Sequence, residues 1–168
     1  MTTLRMLATL TLIVLATSLF GCQPPAPPAE PGEAVPLDED RDRAAVVEAH
    51  RALVAAYEAG DVDAFVDLLD TSGELLIYHP AVDSRFDGVE DVRRSMGRMF
   101  EKMAGATWTD HHALVTTHGD AAWLTAQVLI ELPEAEPFIG RATEIFVRTP
   151  EGWKLAHAHW SAPQDGGS

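Results

Sequence analysis

The pattern of apolar and polar positions predicts two consecutive helices at the start of the folded part of the chain. Apolar positions recur at helical spacing from Ala44 onward, and Gly60 follows where a left-handed cap would end the helix. The repeating positions are Val46, Val47, His50, Leu53, Val54 and Tyr57. Asp61 is suited to cap a second, shorter helix, which ends before Thr71.

A brief strand and a third helix are predicted next. The apolar run from Leu75 to Tyr78 reads as a strand that Pro80 ends. Asp87 and Glu90 resemble a capping box at the start of the helix. The buried stripe of that helix is Val89, Val92, Met96, Met99, Phe100 and Met103.

After Gly105 the chain is rich in β-branched and aromatic residues separated by short turns. The predicted strands are Trp108 to Thr117, Ala121 to Glu131, Phe138 to Arg148 and Trp153 to Ser161. Short turns imply that successive strands are antiparallel neighbours. Helices followed by a meander of long strands predict an α+β fold, in which three N-terminal helices pack on one face of a curved antiparallel sheet.

The N-terminus has the pattern of a signal peptide. Arg5 precedes an apolar stretch from Met6 to Phe20, which is shorter than the roughly 20 residues of a membrane-spanning helix. Leu19-Phe20-Gly21-Cys22 resembles the bacterial lipobox, in which the cysteine is acylated and becomes the first residue of the mature chain. We therefore expect a lipid anchor at Cys22. Gln23, rather than Asp, after the cysteine favours the periplasmic face of the outer membrane.

Four segments follow from this pattern: a lipoprotein signal peptide at 1–21, acylated Cys22 with a proline-rich linker at 22–40, a folded domain at 41–162 and a flexible tail at 163–168. Cys22 is the only cysteine, so the core cannot rely on an internal disulfide. The formal net charge is −14. Such an acidic chain is not expected to bind nucleic acid, and its membrane attachment must come from acyl chains.

Three motifs in order resemble the SnoaL-like branch of the nuclear transport factor 2-like superfamily. They are Tyr57-Glu58-Ala59-Gly60-Asp61-Val62-Asp63-Ala64-Phe65, then His79-Pro80 with Phe86 to Val92, then Gly152 to Ser161. The resemblance implies a cone-shaped cavity between the helices and the curved sheet. The closing strands also resemble the association domain of calmodulin-dependent kinase. The arginines of its anion-binding pocket fall on Glu144 and Trp160 here, which argues against such a pocket.

The residues that carry candidate chemistry come from the alternation of the strands. His157 and His159 share one face of the last strand, and Trp108, Asp110 and His112 share one face of the first long strand. Glu144 or Asp110, paired with a histidine, is a candidate general base. The catalytic candidates are Glu144, His157 and His159, and the ligand-binding candidates are Tyr78, Trp108, Asp110, His112, Trp123 and Trp160.

The alternation alone does not fix which face of each strand lines the cone, and a bulge would exchange the faces. The histidines are alternatively core or dimer-interface residues, and Glu144 a solvated or ion-paired side chain. The His-x-His spacing is not a zinc signature and no glycine-rich phosphate loop occurs, so neither metal nor cofactor is expected.

The sequence therefore predicts a lipid-anchored cell-envelope protein that binds a small apolar ligand or a partner in its cone. The alternative is an enzyme of the ketosteroid isomerase or polyketide cyclase type, with isomerase, cyclase or dehydratase proton transfer at a carboxylate-histidine site. A homodimer is also expected, because three helices cover only one face of the sheet.

Overall fold

The computed structural model describes residues 38–80, 85–133 and 135–162. The predicted signal peptide, Cys22, nearly all of the linker and the C-terminal tail lie outside the described residues. The described residues form three helices and six strands. They are α1 (Glu39–Ala59), α2 (Val62–Asp67), β1 (Leu76–Tyr78), β2 (Arg85–Asp87), α3 (Gly88–Lys102), β3 (Thr107–His118), β4 (Ala121–Glu131), β5 (Phe138–Thr149) and β6 (Gly152–Ser161).

Side-chain caps fix the ends of α1 and α2. Asp38 accepts a hydrogen bond from the backbone N–H of Arg41 at 3.2 Å, and the first turn of α1 is acidic, which suits the positive end of the helix dipole. Gly60 ends α1 with a φ of 67°, as its sequence position indicated. Asp61 then caps α2 by accepting from the backbone N–H of Ala64 at 2.9 Å.

The capping box expected at the start of α3 is absent. Asp87 occupies the cap position, but its side chain makes no cap hydrogen bond. Asp91 takes the role expected of Glu90, because its Oδ2 accepts from the backbone N–H of Asp87 at 3.1 Å. The predicted helix is confirmed, but the side chain that accepts from the backbone N–H of the cap residue is that of Asp91 and not that of Glu90.

The six strands form one sheet in the order β2-β1-β6-β5-β4-β3. The four long strands are antiparallel neighbours, as predicted, whereas β1 pairs parallel with β6. Strand β2 was not predicted, since three residues are too few to show alternation. The predicted α+β fold, with three helices packed on a mostly antiparallel sheet, is confirmed.

Two bulges decide which side chains face the helices. On β6, Leu155 pairs with Phe146 and His157 with Ile145, so Ala156 is an extra residue. The face of the sheet that packs on the helices, the core face, therefore receives Leu155, Ala158 and Trp160. On β3 the register shifts between His111 and Leu114, and His112 within the bulge has a φ of 53°.

The core lies between the helices and this face. Its aromatic centre is formed by edge-to-face contacts, such as Tyr57 with Phe100 at 5.1 Å between ring centroids. The unit Val35–Ser168 contains every residue of the described core, so it holds the packing that its folding requires. Within the described ranges, no helix is long and apolar enough to cross a membrane.

Candidate functional site

His50 is the polar member of the buried stripe of α1. The helical repeat aims it at the sheet together with Val46 and Leu53, and only 2% of it is exposed. Opposite it on the core face stand two carboxylates, Asp110 of β3 and Glu144 of β5. Three elements distant in sequence thus meet at one buried imidazole.

Each ring nitrogen of His50 is hydrogen-bonded to a different carboxylate. Nδ1 lies 2.6 Å from Oε2 of Glu144, and Nε2 lies 2.8 Å from Oδ2 of Asp110. The remaining oxygens accept from indoles, because Trp160 donates to Glu144 Oε1 at 3.0 Å and Trp108 donates to Asp110 Oδ1 at 3.3 Å. The centroids of the two indole rings lie 6.1 Å apart. We call these five side chains, His50, Asp110, Glu144, Trp108 and Trp160, the His50 network.

The His50 network stabilises the protonated, cationic form of His50. Burial by itself would lower the pKa of His50, but the hydrogen bonds and charges of Asp110 and Glu144 outweigh it and raise the pKa to about 10. Burial works in the opposite direction on Asp110, whose pKa is nevertheless lowered because His50 donates to it. An imidazolium with both N–H groups engaged is a poor proton acceptor near neutral pH.

A small cavity lined by aromatic side chains lies beside the His50 network. Tyr57, Trp108 and Trp160 line it together with His79, and its volume is about 30 Å³. A second space of about 10 Å³ shares those three rings and also touches Glu144. By the usual measure the first holds about two waters, so the aromatic side chains fill most of the cone.

His79 brings a neutral imidazole to the aromatic cavity. It stacks on Phe86 at 6.2 Å and meets the edge of Trp160 at 5.9 Å. Burial lowers the pKa of His79 to about 4, so the ring is uncharged at neutral pH. His50 and His79 therefore differ in charge.

A larger cleft opens on the helical side, between the C-terminal ends of α1 and α3. Its volume is about 490 Å³, and Glu58 and Glu101 line it. Tyr57 and Met103 line both this cleft and the aromatic cavity, and the Tyr57 hydroxyl donates to the Met103 sulfur at 2.9 Å. These two side chains form the wall between the two spaces.

The structure brings Glu144, Asp110, Trp108 and Trp160 together at the cone and places the other candidates elsewhere. His157 and His159 lie on the opposite side of the sheet, the outer face, because the bulge at Ala156 turns them away from the helices. Tyr78 and Trp123 are on that face as well, 40% and 43% exposed. His112 is exposed at its bulge, so it does not share the face of Trp108 and Asp110 as the alternation predicted.

In the sequence, His50 is one of six positions in a helical stripe, and His79 belongs to a motif that resembles the family. A signal for His50 was present, since a histidine on an otherwise apolar helix stripe requires buried partners. Its partners were not foreseeable from spacing, because they lie 60 and 94 residues away. In the part of the chain described, no group of three or more His, Cys, Asp or Glu side chains is arranged to hold a metal ion.

Comparison with known proteins identifies the family of the chain. The sequence model of the protein family described as SnoaL-like domain matches residues 46–165 of the chain. No curated protein matches the chain. A candidate dehydratase of the nuclear transport factor 2-like family from Streptomyces avermitilis is 26% identical with a TM-score of 0.68, covering 74% of this chain and 98% of its own.

Two further solved structures share the fold. A candidate ketosteroid isomerase from Parabacteroides distasonis is 23% identical with a TM-score of 0.59, covering 71% of this chain and 86% of its own. A candidate calcium/calmodulin-dependent kinase association domain from Thiobacillus denitrificans is 20% identical with a TM-score of 0.58, covering 69% and 93%. Since the family model spans most of the folded part, the chain belongs to the SnoaL-like family of the nuclear transport factor 2-like superfamily.

Proposed function

We propose that this protein binds a small, largely apolar ligand in the cone of its SnoaL-like domain. The observation that carries the proposal is the aromatic cavity formed by Tyr57, Trp108 and Trp160. Both indoles are anchored through their N–H groups to buried or half-buried carboxylates, so their rings are held in place before a ligand arrives. A concave apolar site with a few fixed polar groups is the usual form of a ligand site.

The indole N–H resonances offer a direct test on the unit Val35–Ser168. A library of small apolar compounds is added while the indole signals are followed by NMR. We expect binders to shift the signals of Trp108 and Trp160 and to leave that of Trp123 unchanged, because Trp123 lies on the outer face. Trp123→Phe assigns the control signal. Shifts confined to Trp123, or none across the library, would contradict the proposal.

The lipid anchor remains a proposal that rests on the sequence. Cys22 follows an apolar stretch in a lipobox-like pattern, and several acyl chains at about 0.8 kcal/mol per buried CH₂ hold a protein firmly on a bilayer. Metabolic labelling with a palmitate analogue should mark the protein, and Cys22→Ala should release it from the outer-membrane fraction. An unlabelled wild-type chain, or a variant that stays with the membrane, would refute the anchor.

A second candidate function is acid-base catalysis, and His79 is the observation that favours it. Glu144 is a poor base here because both of its oxygens accept hydrogen bonds and only 2% of the residue is exposed. The His79 imidazole lines the cavity and is uncharged at neutral pH, which is the protonation state that a general base requires. The candidate dehydratase and isomerase among similar structures suggest the reaction class.

Catalysis is tested with whichever library compounds bind and carry a C–H next to a carbonyl. Incubation in D₂O should exchange that hydrogen for deuterium, and His79→Gln should abolish the exchange while binding persists. Exchange that is absent in the wild type, or unchanged in the variant, would leave binding as the function.

We also propose a homodimer through the outer face. Its centre consists of Tyr78, Trp123, Ile145, His157 and His159, where Trp123 pairs with Ile145 and Ile145 with His157. None of the five is acidic in a chain of net charge −14, so two copies of this surface avoid the repulsion that other surfaces would meet. Light scattering should give a dimer at micromolar concentration, and Trp123→Glu a monomer; a monomeric wild type would refute it.

A further inference from the structure

We propose, building on the ligand-binding role above, that the ligand of the aromatic cavity is a small organic cation, an ammonium group carried on a compact apolar body. The cone supplies the two features that such a ligand requires, a fixed negative charge and a wall of aromatic rings. Each follows from contacts already described, and neither depends on the activity of the relatives.

The negative charge follows from counting protons. Two hydrogen bonds join His50 to the two carboxylates, and each bond needs one proton. Whether both protons sit on the imidazole, or one sits on a carboxyl group, the three side chains together carry one net negative charge. Glu144 brings that charge to the cavity, because it lines the smaller space together with Trp108 and Trp160. A buried charge of this kind attracts an opposite charge more strongly than it would in water.

The wall of the cavity suits a cation better than a neutral molecule. The faces of Trp and Tyr rings attract ammonium groups within about 6 Å, and Tyr57, Trp108 and Trp160 line both inner spaces. Arg141 also lines the aromatic cavity, as the one arginine or lysine among its described lining residues. It is exposed between the buried Gly140 and Ala142, so alternation directs its side chain to the outer face.

The approach to the cavity is acidic as well. The cleft between α1 and α3 is lined by Glu58 and Glu101, and among the described lining residues it shares Tyr57 and Met103 with the aromatic cavity. Methionine side chains are flexible, so we infer that a ligand larger than water enters when Met103 rotates out of the wall between the two spaces. A cation entering by this route passes two carboxylates before it reaches the rings.

Three probes of one shape separate charge from size: choline, 3,3-dimethylbutan-1-ol and 3,3-dimethylbutanoate. They are titrated into the unit Val35–Ser168 while the indole signals are followed by NMR. We expect choline to shift Trp108 and Trp160 and to bind at least about tenfold more tightly than the alcohol, with no binding of the carboxylate.

Equal binding of choline and the alcohol would overturn the cation and leave the binding function intact. Binding of the carboxylate alone would overturn the inferred charge of the site. If none of the three binds, the cation proposal fails, and the library of apolar compounds then decides the binding function separately.

Variants locate the charge. Glu144→Gln keeps the side-chain shape but removes the carboxylate, so the ratio of choline affinity to alcohol affinity should fall about tenfold. Asp110→Asn is the second variant should the first fail to fold. Glu48→Gln, at a side chain of α1 that is 69% exposed, is the matched control and should keep the preference. A loss of equal size in the control would show that overall charge, not the site, selects the ligand.

Discussion

The two faces of the sheet carry the same kinds of residue and use them in opposite ways. On the core face His50, from α1, is joined to Asp110 and Glu144 by hydrogen bonds at 2.8 and 2.6 Å. On the outer face, His157 and His159 make edge contacts with the ring of Tyr78, at 6.1 and 5.8 Å between ring centroids. The raised pKa of His50 therefore follows from its two carboxylate partners, which the core face supplies.

The largest expected effect separates the faces by stability. Glu144→Ala leaves the His50 Nδ1 and the Trp160 indole without their buried acceptor, and should lower the free energy of unfolding by about 3–5 kcal/mol. Thr143→Ala, one residue earlier on the outer face, is the control and should stay within about 0.5 kcal/mol. Urea unfolding measures both. Equal losses of unfolding free energy in the two variants would mean that the His50 network does not stabilise the fold.

The next effect is a loss of stability at alkaline pH. The folded-state pKa of His50 is raised from 6.5 to about 10, so its contribution is fully present below pH 6.5 and is lost as the pH rises from 6.5 through 10. The free energy of unfolding should fall by up to about 1.4 kcal/mol per pH unit in that window. His50→Leu should remove this slope. A slope that is the same in the variant would assign it to other groups.

At acidic pH His79 should give a smaller effect of opposite sign. Its folded-state pKa is lowered from 6.5 to about 4, so its contribution is present above pH 6.5 and is lost as the pH falls from 6.5 through 4. His79→Phe keeps a ring against Phe86 and Trp160 while removing this titration. The difference in unfolding free energy between the two proteins should therefore shrink or reverse toward pH 4. A constant difference would contradict the burial of a neutral His79.

The periodicity of the sequence was enough to predict the helices and the long strands because apolar residues mark one side of each element. It failed at the faces of β3 and β6, where a single extra residue at Ala156, and the bulge around His112, exchange inward and outward positions. A bulge depends on how two strands pair, so the pattern of residues along one strand does not predict it. Glu144, Trp108 and Trp160 are candidates from the sequence that the structure brings together, whereas the contacts of His50 join residues far apart in the sequence.

The smallest expected effect concerns the outer face. Trp123 is 43% exposed, so Trp123→Ala should lower the unfolding free energy of the monomer by no more than about 1 kcal/mol. Trp160→Ala on the core face removes a buried ring and the donor to Glu144, and should cost about 3–5 kcal/mol. Denaturant unfolding at low protein concentration compares them. Similar losses would contradict the division between the faces.

The charge state of His50 tests the account most directly. Long-range ¹H–¹⁵N spectra of the histidine side chains distinguish ring nitrogens that carry a proton from those that do not. At about pH 8.5, well above the ordinary histidine pKa, both nitrogens of His50 should still carry protons. Asp110→Asn, which removes one of the two carboxylates, should bring the titration to lower pH. If one ring nitrogen of wild-type His50 carries no proton at that pH, Asp110 and Glu144 do not hold His50 as a cation, and the central claim about the core face is wrong.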